Sequence, residues 1–331
     1  MSQPGQSGPW VRGEPRGLLD RRLLIVSGKG GVGRTTVAAA LAVLAARRGK
    51  RVLLAQTKSK DRLGSVLGVR KSFAEIQPVA DNLWAVNMTP EAALREYGIM
   101  VLRSAFLYKQ VFERDVVRAF LRAVPGLLDY SMLGKAWYHT TEQHGGRPRY
   151  DLVILDGPAT GHALTLLRVP KVILDTVPEG PLTGPARDCR QLLTDPLRCR
   201  AVLVTLAEDL PVTETLQLAQ GLRELDIALG PVAVNRLYPP RFATGMSAIA
   251  LDELSASPVA SGDAVLGPVL AAARLQRQRA QLNDSHVARL RAELPEPQLH
   301  LPYLFRSVFE RAALEELADR LDGQLDGLGA F

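Results

Sequence analysis

Short unbroken apolar runs alternate along this chain with longer segments whose apolar residues recur every three or four positions. Leu23-Leu24-Ile25-Val26, ending at Gly28, is the first such run. So short and continuous a run reads as a strand buried on both faces of a parallel sheet. Arg51–Ala55, Leu83–Val86, Tyr150–Leu155, Arg200–Leu206, Val232–Val234 and Gln298–Leu301 read the same way. Thr35–Arg48 is rich in Ala and Leu, carries Arg47-Arg48 in its last turn and stops at Gly49, which marks a helix and its end. Glu214–Leu229 and Ser307–Leu321 set leucines on common helical faces. Strands alternating with helices predict an α/β fold with a doubly wound, mainly parallel sheet.

Two stretches interrupt the alternation. Residues 91–145 read as helical throughout, with a break near Pro125-Gly126, and form an inserted helical subdomain. Eight of the 18 aromatic residues fall between Tyr97 and Tyr138, well above an even share. Residues 237–266, rich in Pro, Ser, Ala and Gly, read as a loop with at most a short helix. Residues 1–20 read as a flexible tail ahead of one domain over 21–331.

Composition narrows the function classes. Of the 331 residues, 47% are hydrophobic and 23% charged, ordinary values for a globular protein. The longest apolar stretch, Val37–Ala46, is far short of the roughly 20 residues a membrane span needs. With no apolar core of signal-peptide type near Met1, a soluble cytoplasmic protein is expected. Net charge is 41 − 34 = +7, yet there is no dense basic run or DNA-binding motif, so no nucleic-acid partner is expected. Cys189 and Cys199 are the only cysteines. They lack the spacing of a zinc finger or a disulfide framework, and buried apolar thiols are the plain reading.

The chemistry concentrates in Ser27-Gly28-Lys29-Gly30-Gly31-Val32-Gly33-Arg34-Thr35-Thr36, between a strand and a helix. Glycines there let backbone N–H groups turn inward around a phosphate, and the helix start adds its positive dipole end. The spacing is that of G-x-x-x-x-G-K-[ST], with Arg34 where the lysine belongs and Thr35 offering a hydroxyl to Mg²⁺. The same segment satisfies G-x-G-x-x-G through Gly28, Gly30 and Gly33. A dinucleotide site of Rossmann type, with lysines suited to NADP, therefore stays open, although no acid ends the next strand at Ala55-Gln56-Thr57-Lys58. A tight turn that binds nothing is the bland alternative, which would leave a non-enzymatic scaffold with a vestigial site. Tyr150–Pro170 adds Asp156 at the end of a buried strand, followed by Gly157, Pro158, Gly161 and His162. A carboxylate there can organise Mg²⁺, and the bendable loop can sense a γ-phosphate. Alone, Asp156 would read as a cap and His162 as a structural hydrogen bond.

GKGGVGRTT together with DGPATGH resembles the deviant-Walker family of arsenite-pump and tail-anchored-protein-targeting ATPases, whose P-loop NTPase members carry GKGGVGKTT and DTAPTGH. The resemblance runs from about residue 22 through AVLVTLAEDLPVTETLQLAQGL, VAVNR and the closing Leu301-Pro302. It implies an ATPase that uses ATP and Mg²⁺ and works as a dimer, of two copies or of paralogous subunits. A hydrophobic or membrane-protein client is a further implication. Gly28, Lys29, Gly30, Gly31, Val32, Gly33, Arg34, Thr35 and Thr36 would hold the phosphates, and Thr35 and Asp156 the metal. Lys29 would reach the partner's nucleotide. Asn235 would read adenine, with Pro302 and Tyr303 closing over the base. Lys29, Arg34 and Asp156 are the catalytic candidates.

Departures from the family pattern carry their own expectation. Lys58 stands where the family places the aspartate that positions the attacking water, and Asp61 lies three residues later. A lysine cannot copy that role, and the planar fork of Arg34 does not reproduce an ammonium. Weakened hydrolysis is expected, and with it the part of the weaker half in a heterodimer. The thiol cluster of arsenite extrusion and the CxxC of the zinc-bridged targeting dimer are absent. The stripe Phe112, Val116, Val117, Phe120, Leu121 and Val124 reads as a bundle core in preference to a client groove.

Overall fold

A computed structural model describes residues 17–57, 63–69, 73–102, 104, 106, 110, 127–180, 183–257 and 263–328. The chain runs β1 (Leu23–Gly28), α1 (Arg34–Arg47), β2 (Val52–Thr57), α2 (Leu63–Leu67), β3 (Gln77–Ala80), β4 (Leu83–Met88), α3 (Pro90–Leu102) and α4 (Leu127–Thr141). After the small strands β5 (Gln143–His144) and β6 (Arg147–Pro148) come β7 (Leu152–Ala159), α5 (Thr160–Thr176), α6 (Thr183–Thr194) and β8 (Cys199–Leu206). It closes with α7 (Asp209–Glu224), β9 (Leu229–Leu237), α8 (Gly245–Ala256), α9 (Leu266–Glu293), β10 (Gln298–Pro302) and α10 (Arg311–Asp326).

Eight strands form one sheet in the order β10-β9-β8-β1-β7-β2-β4-β3. All pairings are parallel except β3 with β4. The α/β, mainly parallel reading is therefore correct. Alternate residues of each central strand feed two cores. Leu23, Ile25, Val153, Leu155 and Leu203 face α5, α6 and α7 on one side. Leu24, Val26, Ile154, Val202 and Val204 face α1 and α10 on the other. Residues 37–46 of α1 are all buried, because this alanine-rich helix is sandwiched between sheet and α10 and needs no polar face.

Several boundaries differ from expectation. Within the span expected as a flexible tail, Leu18–Asp20 forms a 3₁₀ turn that buries Leu18 and Leu19. The helix expected over Glu214–Leu229 starts at Asp209, accommodates Pro211 in its first turn and ends before Asp226, whose φ is 56°; Leu229 already belongs to β9. The supposed loop over 237–266 contains the twelve-residue α8. The stretch 91–145 is not helical throughout: β5 and β6 turn at Gly145-Gly146, both with positive φ, as a two-residue hairpin demands. The aromatic-aliphatic stripe from Phe112 to Val124 lies outside the described residues.

Candidate functional site

The sheet order sets β1, β7 and β2 side by side, so their carboxyl ends deliver three functional segments to one edge. Val26 pairs with Asp156, and Gln56 pairs with Asp156 from the other side. Ligands of open α/β sheets bind at this edge, where the order of strands switches direction.

Gly28 closes β1 where a Cβ would lie 2.1 Å from the Val204 carbonyl oxygen, so no larger residue fits against β8. Gly33 caps α1 at φ 95°, and a Cβ there would meet Asn235 Nδ2 at 2.3 Å. Among the described residues no side chain caps the first turn of α1, leaving the early N–H groups of Arg34, Thr35 and Thr36 available at the positive end of the helix dipole. Gly30 and Gly31 are exposed at the loop tip, and Val32 is buried beneath it.

At the base of the loop, Thr35 Oγ1 donates to Asp156 Oδ2 at 2.6 Å, and Gln56 Nε2 donates to the same oxygen at 2.9 Å. Burial pushes the Asp156 carboxyl above the ordinary carboxylate range; the Thr35 and Gln56 hydrogen bonds and the Arg34 charge pull it back only in part. Burial also lowers the Arg34 guanidinium, with Asp156 opposing.

Three successive carbonyls near the end of β7 are gripped by side chains. Thr57 Oγ1 donates to Asp156 O at 3.0 Å, Arg34 Nη1 to Gly157 O at 2.7 Å and Ser27 Oγ to Pro158 O at 3.0 Å. The end of β7 that follows Asp156 is thereby tied to β2, α1 and β1 at once. His162 is exposed on the first turn of α5.

Lys29 does not fold over its own loop. Its ammonium pairs with Glu214 on α7, whose second oxygen lies 3.5 Å from Thr160 Oγ1. Asn235 Nδ2 donates to Val32 O and its Oδ1 accepts from Arg236 N, both at 2.9 Å. One amide hydrogen and one lone pair remain for a ligand. Beside it opens a cleft of about 270 Å³ lined by Asn235, Tyr238, Arg279 and Tyr303. The Tyr238 and Tyr303 rings stack at 5.0 Å, while Pro302 ends β10. The structure thus gathers Gly28–Thr36, Asp156, Asn235 and Pro302 along one edge. Lys58 and Asp61 lie outside the described residues.

Gln56 and Glu214 were not singled out from sequence. A polar residue ending the apolar run Val52–Ala55 was the one available signal for Gln56; nothing in the spacing pointed to Glu214. Cys189 and Cys199 are fully buried, and burial pushes both thiols up, Cys199 to about 12, which leaves them unreactive. Among the described residues no helix is long and apolar enough to cross a membrane.

The profile of the anion-transporting ATPase family matches residues 21–179, which include the glycine loop, Gln56 and Asp156. This segment belongs to that family of ATP-binding P-loop ATPases. The likeness extends further in individual relatives. ATPase BagA of Mycobacterium tuberculosis is 29% identical over 98% of both chains. An arsenical pump-driving ATPase of Escherichia coli is 28% identical over 65% of this chain and 39% of its own length. ATPase GET3 of Kluyveromyces lactis is 24% identical over 68% of this chain and 75% of its own.

Proposed function

We propose that the chain binds ATP with Mg²⁺ at the glycine loop and hydrolyses it slowly as one half of a dimer. The observation that carries this reading is the pair of oxygens, Thr35 Oγ1 and Asp156 Oδ2, held 2.6 Å apart at the foot of an uncapped helix start. The donor set fits Mg²⁺: a hydroxyl and a carboxylate, with phosphate oxygens and waters left to complete a hard, oxygen-only shell. Thr35 and Asp156 would hold the ion, which when bound neutralises the charge of the phosphates.

The chain's own groups do the rest. Backbone N–H groups from Gly28 to Thr36 receive the phosphates. Arg34 uses one nitrogen on the Gly157 carbonyl, and the other donors of its planar fork are left to grip a phosphate oxygen. The base lies in the cleft beside Asn235, with Tyr238 and Tyr303 among its walls and Pro302 adjoining Tyr303 at the end of β10. Lys29 would exchange its pairing with Glu214 for a nucleotide on a second subunit, and a paralogous subunit is the favoured partner.

Isothermal titration with ATP and with NADPH, each with and without Mg²⁺, tests the nucleotide. Tight NADPH binding with no response to ATP would reject this reading. The buried carboxamide of Gln56, facing Asp156 and not a ribose, argues against the dinucleotide alternative.

A further inference from the structure

Gln56 is 1% exposed, and its carboxamide is satisfied on one side only. Nε2 donates to Asp156 Oδ2 at 2.9 Å and lies 3.3 Å from Thr35 Oγ1. Oε1, on the same carboxamide, is buried with no hydrogen-bond partner among the described residues. Exchanging the two atoms would set an amide oxygen against the Asp156 carboxylate, two acceptors at hydrogen-bond distance, so the orientation follows from the charge of Asp156. A buried acceptor left unpaired is costly and calls for a partner.

The chemistry of that missing partner is constrained. Oε1 accepts only. A phosphate oxygen also accepts, so the anionic ligand of the glycine loop cannot satisfy it. The neighbours of the carboxamide are the same two oxygens that would hold Mg²⁺, an ion that dehydrates reluctantly and keeps several waters. A metal-bound water is a polarised donor and fits the acceptor.

We propose that Gln56 is a positioning residue of the metal site: Nε2 orients the Asp156 carboxylate, and Oε1 accepts a hydrogen bond from a water on the bound Mg²⁺. This inference rests on the ATP·Mg²⁺ reading above. It assigns the penultimate residue of β2 a task that the glycine-loop motif does not include.

The test uses the full chain and a fluorescent methylanthraniloyl-ATP probe, titrated with MgCl₂ and, separately, bound in EDTA. Gln56→Met keeps the bulk and removes both polar groups. It raises the Mg²⁺ concentration for half-maximal response about tenfold, the usual cost of losing an outer partner of a metal ligand, while affinity for the probe in EDTA stays within about twofold. Gln56→Glu keeps an acceptor and adds charge. Its Mg²⁺ requirement stays at or below that of the natural chain at pH 8 and rises as the pH is lowered and the new carboxylate protonates. A Gln56→Met chain with an unchanged Mg²⁺ requirement overturns the proposal, as does a loss of equal size in EDTA, the mark of a merely structural role. Should Gln56→Met fail to fold, a Gln56→Glu response insensitive to pH overturns it instead. A natural chain that binds the probe neither with nor without Mg²⁺ rejects the ATP reading itself. One that binds it with no dependence on Mg²⁺ rejects only the role of Gln56.

Discussion

Arg34 Nη1 donates to the carbonyl oxygen of Gly157 at 2.7 Å, so the cation of the glycine loop is engaged by the end of β7 that follows Asp156. A lysine at this position would be a compact charge with freely rotating donors, whereas the guanidinium is a planar fork that can hold a backbone carbonyl and a phosphate oxygen from different edges. Arg34 therefore couples the loop to the end of β7.

Arg34→Ala removes both the phosphate grip and the Gly157 tie, and ATP affinity is expected to fall at least about tenfold, or ~1.4 kcal/mol. Arg34→Lys combined with Lys58→Asp restores the family pattern at both altered positions and is expected to raise steady-state phosphate release about tenfold or more. A natural chain that already turns over as fast as this variant would contradict weakened hydrolysis.

Glu214→Gln frees Lys29 and removes a negative charge from the approach to the phosphates. The pair is about one-quarter exposed on each side, so its stability contribution is of the surface kind, within about 1 kcal/mol. The expected outcome is an unfolding midpoint close to that of the natural chain and an ATP affinity several-fold higher, with the gain shrinking at high salt. Calorimetric titration at two ionic strengths reads both. An ATP affinity that falls would assign Glu214 a supporting role in nucleotide binding.

What could be read from sequence follows burial. Leu23–Val26 and Leu152–Leu155 are covered on both faces, and such strands must be continuously apolar, which makes them conspicuous. The glycine loop is legible because Gly28 and Gly33 satisfy steric demands that no other residue meets. The contact between Gln56 and Asp156 is not legible, since the adjacency of β2 and β7 is a product of strand order and not of spacing. Helix α9 is similarly hidden: of its 28 residues only Leu270, Ala280 and Leu290 are buried, ten positions apart, amid arginine and glutamine. Strand β3 alternates half-buried with exposed residues and pairs only with β4, so no apolar run announces it.

Gly33 and Asn235 form a second coupled pair. Gly33→Ala strains a backbone at φ 95° and drives the new methyl to within 2.3 Å of Asn235 Nδ2. A loss of about 1–3 kcal/mol is expected. Asn235→Ala alone removes the hydrogen bond to Val32 O but also opens space, so the double variant should be less destabilised than the sum of the two. Urea unfolding of the four proteins measures the coupling, and strict additivity would mean that the strain at Gly33 is purely local.

Asp156 carries the last prediction, and its sign follows from burial. The folded carboxyl sits above its ordinary value of 3.8, so the folded chain holds this proton more tightly than the unfolded one. The stabilisation from that proton is fully present below 3.8 and is lost as pH rises through the folded value. Asp156→Asn keeps an oxygen for the Thr35 and Gln56 donors but carries no charge at any pH. Measured without nucleotide or Mg²⁺, the variant should gain stability relative to the natural chain as pH is raised from 4, with the gain levelling off once the natural carboxyl is ionised. The same substitution should abolish the Mg²⁺-dependent part of ATP binding, because a neutral amide cannot replace the carboxylate at a hard cation. Urea unfolding across pH 4–8, paired with ATP titrations at pH 8, reads both effects on one protein. A natural chain that gains stability over the variant as pH rises would show that Thr35, Gln56 and Arg34 more than offset the burial of the charge.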